Sequence, residues 1–94
     1  MPVLVTEVID GEPYSYYPLG QHVVRAIGVC GERPTFKYTR VEITGVLERL
    51  AAGETITEIV QGFRDRVPRD AIEEAARIMT TQFIKNLPSI EPAA

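Results

Sequence analysis

Between Ile43 and Phe83 the apolar residues recur at helical spacing, in three separate runs. Ile43, Val46, Leu47, Leu50 and Ala51 fall at i, i+3, i+4, i+7 and i+8, one stripe of an α-helix. Ile56, Ile59, Val60 and Phe63 repeat the stripe, and Ile72, Ala75, Ala76, Met79 and Phe83 form a third. The breaks between runs are chemically marked. Gly53 stands where a left-handed residue ends a helix at least cost. Thr55 and Glu58 have the spacing of a capping box, in which hydroxyl and carboxylate each accept from the other residue's amide. Gly62 and Arg64-Asp65-Arg66 read as a stop and a turn. Pro68 suits the first turn of a third helix, where its missing N–H would have gone unpaired. The second and third helices, joined by a short turn, are arranged like a helix-turn-helix.

The first half of the chain reads as extended. Val3 to Ile9 is rich in β-branched residues, Asp10-Gly11 follows, and Glu12 to Tyr17 resumes the β-prone pattern. That order predicts a hairpin. His22 to Ile27, Pro34 to Lys37 and Arg40 to Ile43 are further short β-prone runs, with Gly28 and Gly31 bracketing a turn around Cys30. The expected fold is α+β: a small N-terminal β-hairpin or arm, then a three-helix homeodomain-like or winged helix-turn-helix bundle. The expected division is a β-arm over residues 1–26, a helical domain over 27–86 and a flexible tail over 87–94.

With 94 residues the chain has room for one small core. Its 45% hydrophobic and 24% charged residues exclude collagen-like and wholly disordered readings. The net charge of −3 is not that of a domain living on phosphate, although a local basic patch is compatible with it. The single Cys excludes an internal disulfide. No basic n-region with a long apolar stretch opens the chain, and no apolar run approaches the roughly 20 residues that span a bilayer. A soluble cytoplasmic protein is expected.

The stretch from Cys30 to Ile43, with Leu47, Leu50-Ala51-Ala52-Gly53-Glu54-Thr55 and Ile59, resembles the domain of unknown function 433 family, a VapB-like antitoxin group. That family shows a Gly-x-Pro segment, a Gly-Thr-Arg segment, then Leu-Ala-x-Gly and a Ser/Thr-capped helix. Here Glu32-Arg33-Pro34 and Tyr38-Thr39-Arg40 stand for the first two, so Pro34, Thr39, Arg40, Gly53 and Thr55 are the motif positions. The resemblance covers roughly residues 27 to 78. It implies a helix-turn-helix fold, a partner among PIN-type ribonuclease toxins and contact with operator DNA. Three departures stand out. Tyr38 replaces a Gly at a turn that can use positive φ. Gly62 to Arg66 replaces a Tyr-Pro after the second helix, and Val67 stands where a capping Ser or Thr is usual.

Candidate site residues follow from charge and shape. Arg64, Arg66 and Arg69 cluster at the turn before the third helix and, with Arg77, are the candidate DNA phosphate contacts. The expected outward face of that helix carries Arg69, Asp70, Glu73, Glu74, Arg77 and Thr81, whose acidic groups oppose phosphate. Arg40 is expected to clamp the β-arm to the first helix through its planar guanidinium. Tyr14, Tyr16 and Tyr17 are candidates for a dimer or partner interface, because tyrosine joins apolar area to a polar tip. One His and one Cys, His22 and Cys30, are too few for a zinc site, and no phosphate-binding Gly-rich loop is present. No catalytic residue, metal or cofactor is expected. The leading expectation is a non-enzymatic, homodimeric, antitoxin-like protein that binds a PIN-type toxin and operator DNA. The alternative is a DNA-free oligomerisation or adaptor module on the same fold.

Overall fold

The computed structural model of the chain describes residues 3–88. Four strands, β1 (Val5–Ile9), β2 (Glu12–Pro18), β3 (Val23–Ala26) and β4 (Thr35–Phe36), precede three helices, α1 (Ile43–Ala51), α2 (Ile56–Gly62) and α3 (Arg69–Lys85). The strands form one antiparallel sheet in the order β1-β2-β3-β4.

The β1–β2 turn is as the sequence predicts. Asp10 and Gly11 have φ of 51° and 79°, the two positive values that a primed two-residue turn requires. The expected hairpin, however, is only the outer half of a larger structure, which corrects the reading of a small N-terminal arm. β3 pairs with β2 through Tyr16↔Ala26, and β4 pairs with β3 through Val23↔Phe36. Val23 and Phe36 lie buried in one core with Ile43, Val46, Ile59, Val67, Ala71, Ile72 and Ala75. The helices therefore cover a sheet instead of closing only on one another, and the homeodomain-like or winged helix-turn-helix bundle gives way to this α+β layout. The physical reason is that β4 is two residues long and is held by pairing partners distant in sequence. Tyr16, Val24 and Ala26 make a second small cluster with Val5, Tyr14 and Val29.

The helix punctuation is as expected. Gly53 has φ of 101°, and both halves of the Thr55–Glu58 capping box form, at 3.1 and 3.0 Å. Arg64 and Asp65 carry positive φ in the turn after α2. Val67, where a capping side chain is usual, is fully buried in the core, and Pro68 is the N-cap of α3. The N-cap of α3 thus falls one residue later than the sequence suggests, and the side chain at 67 packs instead of capping. Tyr38 does adopt positive φ, 67°, and its amide and hydroxyl are both anchored, to the Tyr14 hydroxyl and to Glu7. The expected frayed tail falls mostly on residues 89–94, outside the described residues.

Two contacts dock the helices on the sheet. The Glu74 carboxylate accepts from the amides of Gln21 (2.9 Å) and His22 (2.6 Å), at the β2–β3 connection. Gly20 permits this approach, because a Cβ there would sit 2.8 Å from Glu74 Oε1 and from Ile78 Cδ1. Arg33 forks onto Glu42, the residue that precedes α1, at 2.6 and 3.3 Å.

Candidate functional site

Three clefts surround the turn between α2 and α3. The largest, about 390 Å³, opens between the β3–β4 strand ends and the start of α3, and His22, Lys37 and Arg66 line it with Phe36 and Tyr38. A second, about 250 Å³, is lined by Val41, Phe63, Arg64 and Arg66. A third, about 240 Å³, lies between Thr57, Gln61, Asp65 and Arg69. The basic cluster read from the sequence is thus divided. Arg69 donates to the Thr57 hydroxyl at 2.6 Å and braces α3 against α2. Arg64 and Arg66 make no side-chain hydrogen bond or ion pair among the described residues. Arg77 is exposed on α3, and Lys37, unmarked in the sequence, joins Arg66.

Of the tyrosines, Tyr16 is buried, Tyr14 and Tyr17 are half-buried and Tyr38 is exposed. Tyr16 and Tyr38 donate to Glu7, and the ring of Tyr14 lies 5.1 Å from that of Tyr16 and 5.4 Å from that of Tyr38. Lys37 Nζ sits 5.0 Å from the Tyr16 ring centre, 5.1 Å from that of Tyr38 and 3.8 Å from Glu7. The two phenol hydroxyls and Lys37 hold the Glu7 carboxyl below the ordinary carboxylate range. Glu7 in turn pushes the Tyr16 phenol up, and Tyr16 with Tyr38 raises Lys37. Every shift moves away from neutrality, whereas proton transfer at neutral pH calls for a group poised near it. This arrangement serves as a strut that ties the β1–β2 hairpin to the segment after β4. Tyr17, on the opposite face of β2, is half-buried.

Arg40 sits apart from its expected clamp: it is exposed, and its guanidinium makes no hydrogen bond or ion pair among the described residues. Its carbonyl accepts from Cys30 Sγ at 3.3 Å. The bidentate grip near α1 belongs to Arg33, and Arg49 makes another with Glu54 at 2.9 and 2.8 Å. Pro34 contributes the carbonyl that accepts from the Ile43 amide, and Thr39 closes its own turn by bonding Phe36 O and the Val41 amide. No group of three or more His, Cys, Asp or Glu among the described residues is placed to hold a metal ion.

α3 shows what the sequence reading missed. Glu74, expected outside, is turned in toward the β2–β3 connection, which leaves the outer face less acidic. Phe83, expected inside, is 67% exposed, with Ile84 at 61% and Leu87 at 52%. The helix outruns its core: only Ala71, Ile72 and Ala75 are buried along it. The radius of gyration, 15.6 Å, exceeds the roughly 12 Å of a compact chain this long. The sequence carried a signal for this, since residues 78–84 contain no charge on any face of the helix.

No helix among the described residues is long and apolar enough to cross a membrane. No curated protein and no solved structure matches the chain. A family model, described as a protein of unknown function (DUF433), matches residues 23–77, from the first residue of β3 to the middle of α3. That span holds the β3–β4 pair, α1, α2, the turn with Arg64 and Arg66 and the buried part of α3, more than half of the sequence, and the chain belongs to the DUF433 family.

Proposed function

We propose that this chain is a non-enzymatic, antitoxin-like interaction protein that works as a homodimer, with the distal part of α3 as the surface on which the second copy docks. The carrying observation is the apolar distal part of α3, charge-free from residue 78 to 84 and ending on Lys85. Phe83, Ile84 and Leu87 stand exposed beyond the core, and residues 78–84 lack the charges that keep a helix surface in water. Interface cores are depleted of charge and enriched in aromatic residues and Met. A second copy is the occupant favoured here, because two uncharged stripes meet without like-charge repulsion and a two-fold contact is self-complementary. The wider partner, a PIN-type ribonuclease, is proposed on the family resemblance alone.

Light scattering across a concentration series tests this. The wild-type chain is expected at twice its monomer mass of 10.5 kDa, and a Phe83→Glu/Leu87→Glu double variant at the monomer mass with a wild-type circular-dichroism spectrum. A monomeric wild type, or a variant that stays dimeric, refutes it. A second reading, contact with DNA, is favoured by the unpaired Arg64 and Arg66. Phosphate contact through both should give log affinity falling with log salt, with a slope shallower by about one for each arginine removed.

A further inference from the structure

We propose that the cavity between the β3–β4 strand ends and the start of α3 binds a nucleoside monophosphate-type ligand: a phosphate group on a planar ring. Three cation-capable side chains reach it from separate segments. His22 and Lys37 are cross-strand neighbours, joined by a 2.8 Å bond from the Lys37 amide to the His22 carbonyl. Arg66 arrives from the α2–α3 turn. The side chains of Gln21, His22 and Arg66 make no hydrogen bond or ion pair among the described residues. Gln21 and Arg66 are exposed and His22 is half-buried, so all three are open to a ligand that enters the cavity.

Two acids on the packed side of the cavity are already committed, while Asp65 and Asp70 lie exposed on either side of Arg66, in the turn and in the first turn of α3. Glu74 is taken up by two backbone amides, and Glu7 by Tyr16, Tyr38 and Lys37. Arg66, which makes no ion pair among the described residues, lines the cavity, with Lys37, paired to Glu7, beside it. The Arg66 guanidinium can grip two phosphate oxygens at once, and His22 stands across the cavity from it as a further hydrogen-bonding group. Pro68 and Ala71, at the N-terminal end of α3, line the same space, so the helix dipole adds to the field.

The walls select the rest of the ligand. Tyr38 offers aromatic surface, held in place at both its amide and its hydroxyl while remaining 55% exposed, and the buried Phe36 backs the wall. A nucleobase stacks on such a ring whatever its sequence identity. The volume, about 390 Å³, lies at the small end of ligand cavities, right for one nucleotide unit.

Calorimetric titration of the full chain with AMP, inorganic phosphate and adenosine tests the site. AMP should bind more tightly than either fragment. Arg66→Ala should weaken AMP by about tenfold or more, the worth of one charge-assisted contact. Arg64→Ala, whose side chain belongs to the neighbouring cleft, should leave AMP affinity unchanged. Both residues are exposed, so both variants should keep the wild-type melting temperature. No saturable heat at millimolar AMP, or equal affinity in Arg66→Ala, overturns the site. Inorganic phosphate binding as tightly as AMP overturns the planar part. Duplex DNA displacing AMP, with equal losses in Arg64→Ala and Arg66→Ala, would replace the proposal with a backbone-phosphate surface.

Discussion

Ile59→Ala should lower unfolding stability by about 3 kcal/mol, and the melting temperature by roughly 15 °C in a domain of this size. Ile59 is fully buried and is the one buried residue of α2, which has only seven residues. Truncation removes apolar surface and leaves a cavity between α2 and the core residues contributed by α1, α3 and the sheet. So short a helix is marginal in isolation, and its order comes from this packing together with the capping box. Because a domain is stable by only about 5–15 kcal/mol, a loss of this size is a large share of the total. The turn that carries Arg64 and Arg66 begins where α2 ends, so loosening α2 should also weaken any ligand held by those arginines. Gln61→Ala, on the exposed side of the same helix, should change stability by about 0.5 kcal/mol or less. Chemical denaturation of both variants makes the comparison. A change below about 1 kcal/mol for Ile59→Ala would show that α2 is not anchored by this side chain.

The helical half was legible because its signals are local. Gly53, Thr55 and Glu58 sit within six residues of one another, and the structure realises the φ and both hydrogen bonds they require. The Asp10-Gly11 turn was readable for the same reason. The runs that hold β3 and β4 were readable as β-prone, but their union with the hairpin in one sheet was not, because β4 is made of Thr35 and Phe36 alone and exists through its pairing with Val23 and Val24. No periodicity survives in two residues. The candidate site failed in the sequence for a related reason. Arg64, Arg66 and Arg69 are neighbours in the chain and look like one basic patch, yet Arg69 lines a cleft of its own while Arg64 and Arg66 share one and Arg66 also reaches the largest. Lys37 and His22 meet Arg66 only through strand pairing. Arg33, not Arg40, forks onto the residue preceding α1, because the Arg33 side chain reaches the carboxylate of Glu42. Glu74 was placed outside by helical periodicity, which is blind to the two unpaired amides it finds at Gln21 and His22.

Those two amides make Glu74 the second residue whose loss should be costly. Glu74→Ala strands both donors and removes the link between α3 and the β2–β3 connection. The expected cost is about 2 kcal/mol, near the lower end for hydrogen bonds to a charged acceptor, since water reaches the Gln21 amide. Glu74→Gln keeps an acceptor oxygen and should recover part of that loss. The charge itself is read by pH. Partial burial pushes the Glu74 carboxyl up, but the His22 and Gln21 amides, with the His22 ring and Arg77, outweigh it and hold the group below its ordinary value. A carboxyl whose folded pKa is depressed contributes stability that is complete above its unfolded pKa, about 4.3 for glutamate, and disappears as pH falls through the folded value. Wild type should therefore exceed Glu74→Gln in stability at neutral pH, and the gap should close on acidification below about pH 5. Glu7, Glu42, Glu54 and Glu58 are depressed as well, by their tyrosine, arginine and capping partners, so wild type and variant both weaken in acid. The difference between them isolates Glu74, and denaturant midpoints across that range measure it. A gap that persists unchanged into acid would mean that the Gln substitution acts through shape, at the close contact with Gly20, and not through the lost charge.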